Sequence, residues 1–325
     1  MSFNTQTIFA PKDPIAGFSQ ANLGDQWWQY VDRIPYTEHF GAFDDTTDPR
    51  GRRGSVEKAL LYQPLLSGSP QDRVLFIGGA FGNLPQGISG AFTVQRTVIL
   101  PEGTTKVFFP LFNNTATNLT TTPKKIDVTD PFVNGGRNNA QLKENAAFYM
   151  NQPGAEGTGT SALFAKVDGQ NVKDPYQYRQ TSQGKNGFNA YPIKGGISQE
   201  YLGYQPDTTY LTNPELKGQV PSTPDNPNGY PTIKDLGGYN NLPNGANLAI
   251  KTFADGYWLG TDLNPGEHTL NFGGTFSKEK ETNFALDITY NILNPVKGTQ
   301  KGDVLTGTEL NDYIDGGNGK DKLLG

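Results

Sequence analysis

Two stretches of the chain alternate between apolar and polar residues at every second position, the period of a strand with one buried face. In residues 281–293, ETNFALDITYNIL, the side chains of Phe284, Leu286, Ile288, Tyr290 and Ile292 fall on one face and those of Ala285, Asp287, Thr289 and Asn291 on the other. This spacing predicts a one-sided sheet strand. In residues 91–100, Phe92, Val94, Val98 and Leu100 share a face with Arg96 among them, and Pro101-Glu102-Gly103 then turns the chain into an apolar run over 107–112. The pair reads as a hairpin. Further strands are expected at 73–77, 248–253, 257–259 and 268–272.

The helical period is rarer. It is clearest in 25–34, DQWWQYVDRI, where Trp27, Val31 and Ile34 make one stripe, Asp25 stands as N-cap and Pro35 as the stop. A shorter helix is expected from Ser55. Between residues 218 and 245, 15 of 28 residues are Pro, Gly or Asn, which predicts a surface excursion outside any sheet.

Composition agrees with short strands and many turns. Gly (40) and Pro (23) are abundant in a chain of 325 residues, and 19 Phe, 15 Tyr and 3 Trp supply the core that a 34% hydrophobic share otherwise leaves thin. A net charge of -5 argues against nucleic acid or an anionic membrane surface as partner. Without cysteine there is no disulfide framework or thiolate site, and two histidines, His39 and His268, leave little for a transition metal or a catalytic triad. Any metal must therefore be held by oxygen. No apolar run approaches the ~20 residues of a membrane-spanning helix, and the N-terminal residues do not form a basic-then-apolar leader, so export by a cleaved signal is not expected.

At the C-terminal end glycines recur every nine residues, at Gly298, Gly307, Gly316 and Gly325. In the same frame stand Asp303, Asp312 and Asp321, each followed two positions later by an aliphatic residue: Leu305, Ile314 and Leu323. Glycines allow tight turns and aim carbonyls at a shared point, the aspartate supplies a carboxylate there, and the aliphatic residue points into the coil. The three units, GTQKGDVLT, GTELNDYID and GGNGKDKLL, resemble the RTX, or haemolysin-type, calcium-binding repeat. The third matches its GGxGxDxUx pattern throughout, with Gly316, Gly317, Gly319 and Asp321. The first two depart, with Thr299 and Thr308 at the second position and Lys301 and Leu310 at the fourth.

The resemblance implies that each repeat forms half a coil. Loops eighteen residues apart then stack around one Ca²⁺, which pairs the loop of Asp303 with that of Asp321 and leaves Asp312 without a following partner. It also implies further repeats, an uncleaved C-terminal secretion signal and a type I exporter. The body resembles, more loosely, a family of uncharacterised bacterial secreted β-sandwich proteins, through RTVILPEGTTKVFFPLFN (96–113) and the segment 254–290.

Other residues of chemistry-bearing types read first as structural. Asp44, Asp45 and Asp48 lie in one loop, whose aspartates are expected to cap backbone N–H groups and pair with the following arginines; their spacing also permits a hard-cation site. Glu38-His39 beside it offers an acid and a base but no nucleophile motif. His268 shares its expected strand face with Leu270 and Phe272, as a hydrogen-bonded core histidine does. Trp27, Trp28, Tyr257 and Trp258 are the aromatics available for stacking a sugar, and the Tyr257-Trp258 alternation predicts that only one of that pair faces solvent.

The expected architecture is all-β: an N-terminal extension over 1–24, a jelly-roll-like antiparallel β-sandwich over 25–294 with long loops, and the start of a parallel β-roll over 298–325. The expected function is a secreted calcium-binding protein, extracellular or at the cell surface, structural, matrix-forming or adhesive, with polysaccharide or further copies of itself as partner. The alternatives are a secreted polysaccharide hydrolase, whose two carboxylates would face each other about 5–9.5 Å apart, and a carbohydrate-binding module.

Overall fold

The computed structural model describes residues 7–33, 74–78, 90–100, 104–118, 137–153, 157–190, 210–237, 250–278, 281–307 and 314–324. Their longest strands form two sheets packed face to face, an all-β sandwich followed by two short parallel ladders. The helix expected from Ser55 and the residues Ile34, Pro35, Glu38, His39, Asp44, Asp45 and Asp48 lie outside the described residues.

The first sheet is organised by β9 (Ile250–Asp262). One edge of β9 pairs antiparallel with β4 (Lys106–Thr117), which pairs parallel with β2 (Val74–Phe76). The other edge is met in succession by β8 (Phe188–Ala190), β7 (Arg179–Thr181) and β1 (Thr7–Ile8). The second sheet runs β3 (Gly90–Ile99), β11 (Glu281–Asn294), β10 (Gly266–Lys278), β5 (Gly159–Val167), β6 (Gln170–Asn171). Here β3 is parallel to β11 and the remaining pairs are antiparallel. Both sheets are thus mixed rather than wholly antiparallel.

The strand predicted over 281–293 is β11, with Leu286, Ile288, Tyr290 and Ile292 buried as its alternation requires. They face Phe109, Tyr257 and Leu259 of the first sheet, and the Phe109 and Phe272 rings meet with centroids 4.5 Å apart. The expected hairpin between 91–100 and 107–112 does not form. β3 and β4 enter opposite sheets, because the run KVFFPLF is apolar at consecutive positions and is buried on both faces, which only a strand with layers above and below satisfies. Within that run Pro110 has no N–H to give the ladder, and a register shift between Pro110 and Phe112 turns both Leu111 and Phe112 into the core.

The outer face of the first sheet is covered by α1 (Gln20–Arg33). Trp27 and Val31 are on its buried stripe, and Trp27 lies edge-on to Trp28 and Trp258. The helix begins five residues before Asp25, where the Ser19 hydroxyl accepts from the Asn22 amide at 3.2 Å. Asp25 is therefore not the N-cap but a buried residue inside the helix. The segment before Asp25 is likewise no mere extension: it supplies β1, the fully buried Ile15 and the first turn of α1.

A second helix, α2 (Asn139–Phe148), is held by a reciprocal capping box between Asn138 and Gln141, with bonds of 3.0 and 2.9 Å. Its Leu142 and Ala146 pack on Ala116 and Phe253. Residues 218–237 contain no strand, in line with a surface excursion, yet they are folded. The Asn226 amide donates to the Tyr230 carbonyl (2.8 Å) and accepts from its N–H (2.9 Å), while Tyr230 and Ile233 are buried.

After Pro295 the chain changes habit. β12 (Val296–Lys297) pairs parallel with β14 (Ile314–Asp315), and β13 (Val304–Thr306) with β15 (Lys322–Leu324). Both registers, Val296 with Ile314 and Val304 with Lys322, are offset by 18 residues. Among the described residues no helix is long and apolar enough to cross a membrane.

Candidate metal centre

The 18-residue offset lays the turn from Gly298 to Asp303 against the turn from Gly316 to Asp321. Backbone approach there is close enough to demand glycine. A Cβ on Gly319 would stand 2.4 Å from the Lys301 carbonyl oxygen, and one on Gly317, whose φ is +71°, would stand 2.7 Å from that of Thr299. The carbonyls of the first turn thus point at the glycines of the second. The turns are also tied by hydrogen bonds: the Asp303 N–H donates to Asp321 Oδ1 (2.9 Å), the Lys322 N–H to the Asp303 carbonyl (2.7 Å), and the Gly298 N–H to the Asp315 carbonyl (2.8 Å).

Of the six predicted cation ligands, Gly316, Gly317, Gly319, Asp321 and Asp303 come together in this stack, and Asp312 lies outside the described residues. The two aspartates are not equivalent. Asp303 Oδ2 already accepts from the Thr299 N–H (2.6 Å) and the Thr299 hydroxyl (2.8 Å). Each Oδ2 lies over the opening glycine of its own turn, Asp303 Oδ2 3.2 Å from where a Cβ on Gly298 would be and Asp321 Oδ2 2.7 Å from one on Gly316, while Asp321 Oδ1 accepts from the other turn. Among the described residues no three His, Cys, Asp or Glu side chains converge. A hard cation here would draw on the Asp321 carboxylate and on backbone carbonyls such as those of Thr299 and Lys301, the oxygen donors Ca²⁺ takes in numbers of six to eight. The donor chemistry fits, and one oxygen of Asp303 is already held by Thr299.

Elsewhere, the four aromatics considered for sugar stacking are all buried, because β9 has α1 on one face and the second sheet on the other; Tyr257 and Trp258 are 2% and 1% exposed, so neither faces solvent. His268 is a core histidine, with Nδ1 3.0 Å from Asp168 Oδ2 and Nε2 2.7 Å from the Asn264 carbonyl. Burial lowers its pKa, but the bonds to Asp168 and Asn264 outweigh that and the net direction is up. The stabilisation it gives is full below about 6.5 and fades as pH rises through the raised value.

Among the described residues the surface has open depressions, two of which are of note. One of ≈ 510 Å³ lies between the start of α2 and Asn213–Glu215, and one of ≈ 300 Å³ lies on the outer face of the second sheet beside Phe164 and Gly274. Each is lined by a single carboxylate, Glu215 and Asp287 respectively.

A buried carboxyl lies under α1. Burial raises the Asp25 pKa to about 6, against the lowering effect of bonds from the Ser182 hydroxyl (2.6 Å) and the Gln183 N–H (3.4 Å). A raised carboxyl pKa means that the folded state holds a proton the unfolded chain has lost, so stability falls as pH climbs from about 4 to 6 and the loss is complete above. Asp25→Asn is expected to gain about 2–3 kcal/mol on the wild type between pH 4 and pH 8, as read from urea midpoints. A difference that does not change with pH would show that Asp25 is ionised at no cost.

Comparison of the chain with protein-family models, with curated proteins and with solved structures finds no match in any of the three.

Proposed function

We propose that this chain is a secreted calcium-binding protein of the RTX type, working outside the cell or at its surface as a structural, matrix or adhesive component. One observation carries the reading: two parallel ladders share an 18-residue offset and stack the only fully matching nonapeptide turn, Gly316 to Asp321, on the turn two units earlier, Gly298 to Asp303. That is the arrangement in which glycine-turn carbonyls and a carboxylate surround a hard cation. What the ion supplies is a positive charge for the Asp321 carboxylate and coordination for turn carbonyls. Its binding free energy is then folding free energy, so the turn from Gly316 to Asp321 is loose where Ca²⁺ is scarce, inside the cell, and ordered outside. This suits passage through a type I exporter. In the role proposed, polysaccharide or further copies of the chain are the partners.

The test is amide exchange of the full chain in EDTA and in millimolar Ca²⁺. Amides of residues 314–324 should slow on adding Ca²⁺, while those of β9 to β11 stay unchanged. Identical exchange of 314–324 in both buffers would remove the calcium reading.

A further inference from the structure

The two stacked turns are closed by different means. In the second, Gly317 takes the left-handed φ of +71° that the nonapeptide pattern reserves for glycine. Thr299 stands at the same position of the first turn, and it is not among the residues with positive φ. Its backbone N–H and hydroxyl both reach Asp303 Oδ2, at 2.6 and 2.8 Å, and the same hydroxyl accepts from the Lys301 N–H at 3.1 Å. One oxygen of the Asp303 carboxylate is thereby satisfied by two donors of its own turn. Charge-assisted bonds of this kind are worth more than neutral ones.

We infer that Thr299 and Asp303 form a latch that closes the first turn of the roll without any cation, making it a permanent template on which the second turn assembles. Asp303 on this account is a structural acceptor and not a metal ligand. Its N–H and carbonyl are left to bind the second turn, through Asp321 Oδ1 at 2.9 Å and the Lys322 N–H at 2.7 Å. The latch explains why an opening repeat tolerates threonine and lysine where the pattern calls for glycine. A turn held by its own hydroxyl needs neither the left-handed backbone nor the ion. The closure of the first turn is independent of the calcium reading; only the claim that the second turn responds to Ca²⁺ rests on it.

The experiment is amide exchange of the full chain in EDTA, comparing wild type with Thr299→Ser and Thr299→Val. Serine keeps the hydroxyl and valine keeps the shape. In the wild type the Thr299 and Lys301 amides should be protected with no cation present, Thr299→Ser should stay close to it, and Thr299→Val should exchange about tenfold faster at these amides. Equal exchange in wild type and Thr299→Val, or protection in the wild type that appears only with Ca²⁺, would overturn the latch. If the latch amides are protected in EDTA but 314–324 ignore Ca²⁺, the latch stands and the calcium reading falls.

Discussion

Replacing Arg179 by alanine is expected to destabilise the protein by about 3–5 kcal/mol, because it leaves Asp255 as an uncompensated charge inside the sandwich. Asp255 is 1% exposed, and Arg179 meets it with two parallel bonds, Nε to Oδ1 at 2.9 Å and Nη2 to Oδ2 at 3.1 Å. The same guanidinium donates to Asn151 Oδ1 (2.9 Å) and the Ala147 carbonyl (3.1 Å), tying the end of α2 to β7 and β9. Burial pushes the Asp255 pKa up, and Arg179 pulls it part of the way back. Without the arginine, only the Gly256 N–H and the charge of Lys143 oppose burial. The carboxyl then takes up a proton more readily, and the loss should be smaller at pH 4 than at pH 8. Asp255→Ala should cost less, since the half-buried Arg179 can turn to water, and the double variant should be less destabilised than the sum of the two. Urea unfolding of the four proteins at both pH values gives the full cycle. A cost below about 1 kcal/mol for Arg179→Ala would place the pair with ordinary surface ion pairs.

The second large effect is in the core between the sheets. Phe272→Ala is expected to cost about 3–5 kcal/mol in urea unfolding, the range for emptying an aromatic site that cannot collapse. Phe272 is fully buried, with Phe109 at 4.5 Å from the opposite sheet and Tyr290 stacked at 6.1 Å on the neighbouring strand. Sheets on both sides keep the cavity open. Phe148, 49% exposed at the end of α2, is the control and should lose about 0.5 kcal/mol or less. Similar losses for the two would mean that the sheets do not pack through Phe272.

How much of this was legible depended on whether an element buried one face or two. β11 was readable because Asp287, Thr289 and Asn291 interrupt its apolar positions, and β5 carries the same signal in Leu163, Ala165 and Val167. β9 broke into two short runs because Gly256 and Gly260 sit among its apolar residues, although both faces are covered. Pairing was not legible. Nothing local tells that β3 joins β11, nearly two hundred residues away, rather than β4 across a three-residue turn. The capping box of Asn138 and Gln141 was a readable signal for α2, but the helix is short and its apolar stripe is only Leu142 and Ala146.

For the roll, the nine-residue register of glycine and aspartate already contained the 18-residue offset of the ladders. What the register hid was the inequality of its aspartates. Thr299 counts as a departure from the repeat, yet its hydroxyl is what fixes Asp303. A threonine four residues ahead of the aspartate, where the pattern expects glycine, was the available signal.

The claim that most needs a measurement is that the second turn holds Ca²⁺ through Asp321. Calorimetric titration of Ca²⁺ into the full-length wild type, Asp321→Asn and Asp303→Asn decides it. Binding heat in the wild type that is lost in Asp321→Asn and retained in Asp303→Asn is the predicted result. No heat in the wild type, or heat that survives Asp321→Asn unchanged, would contradict the account.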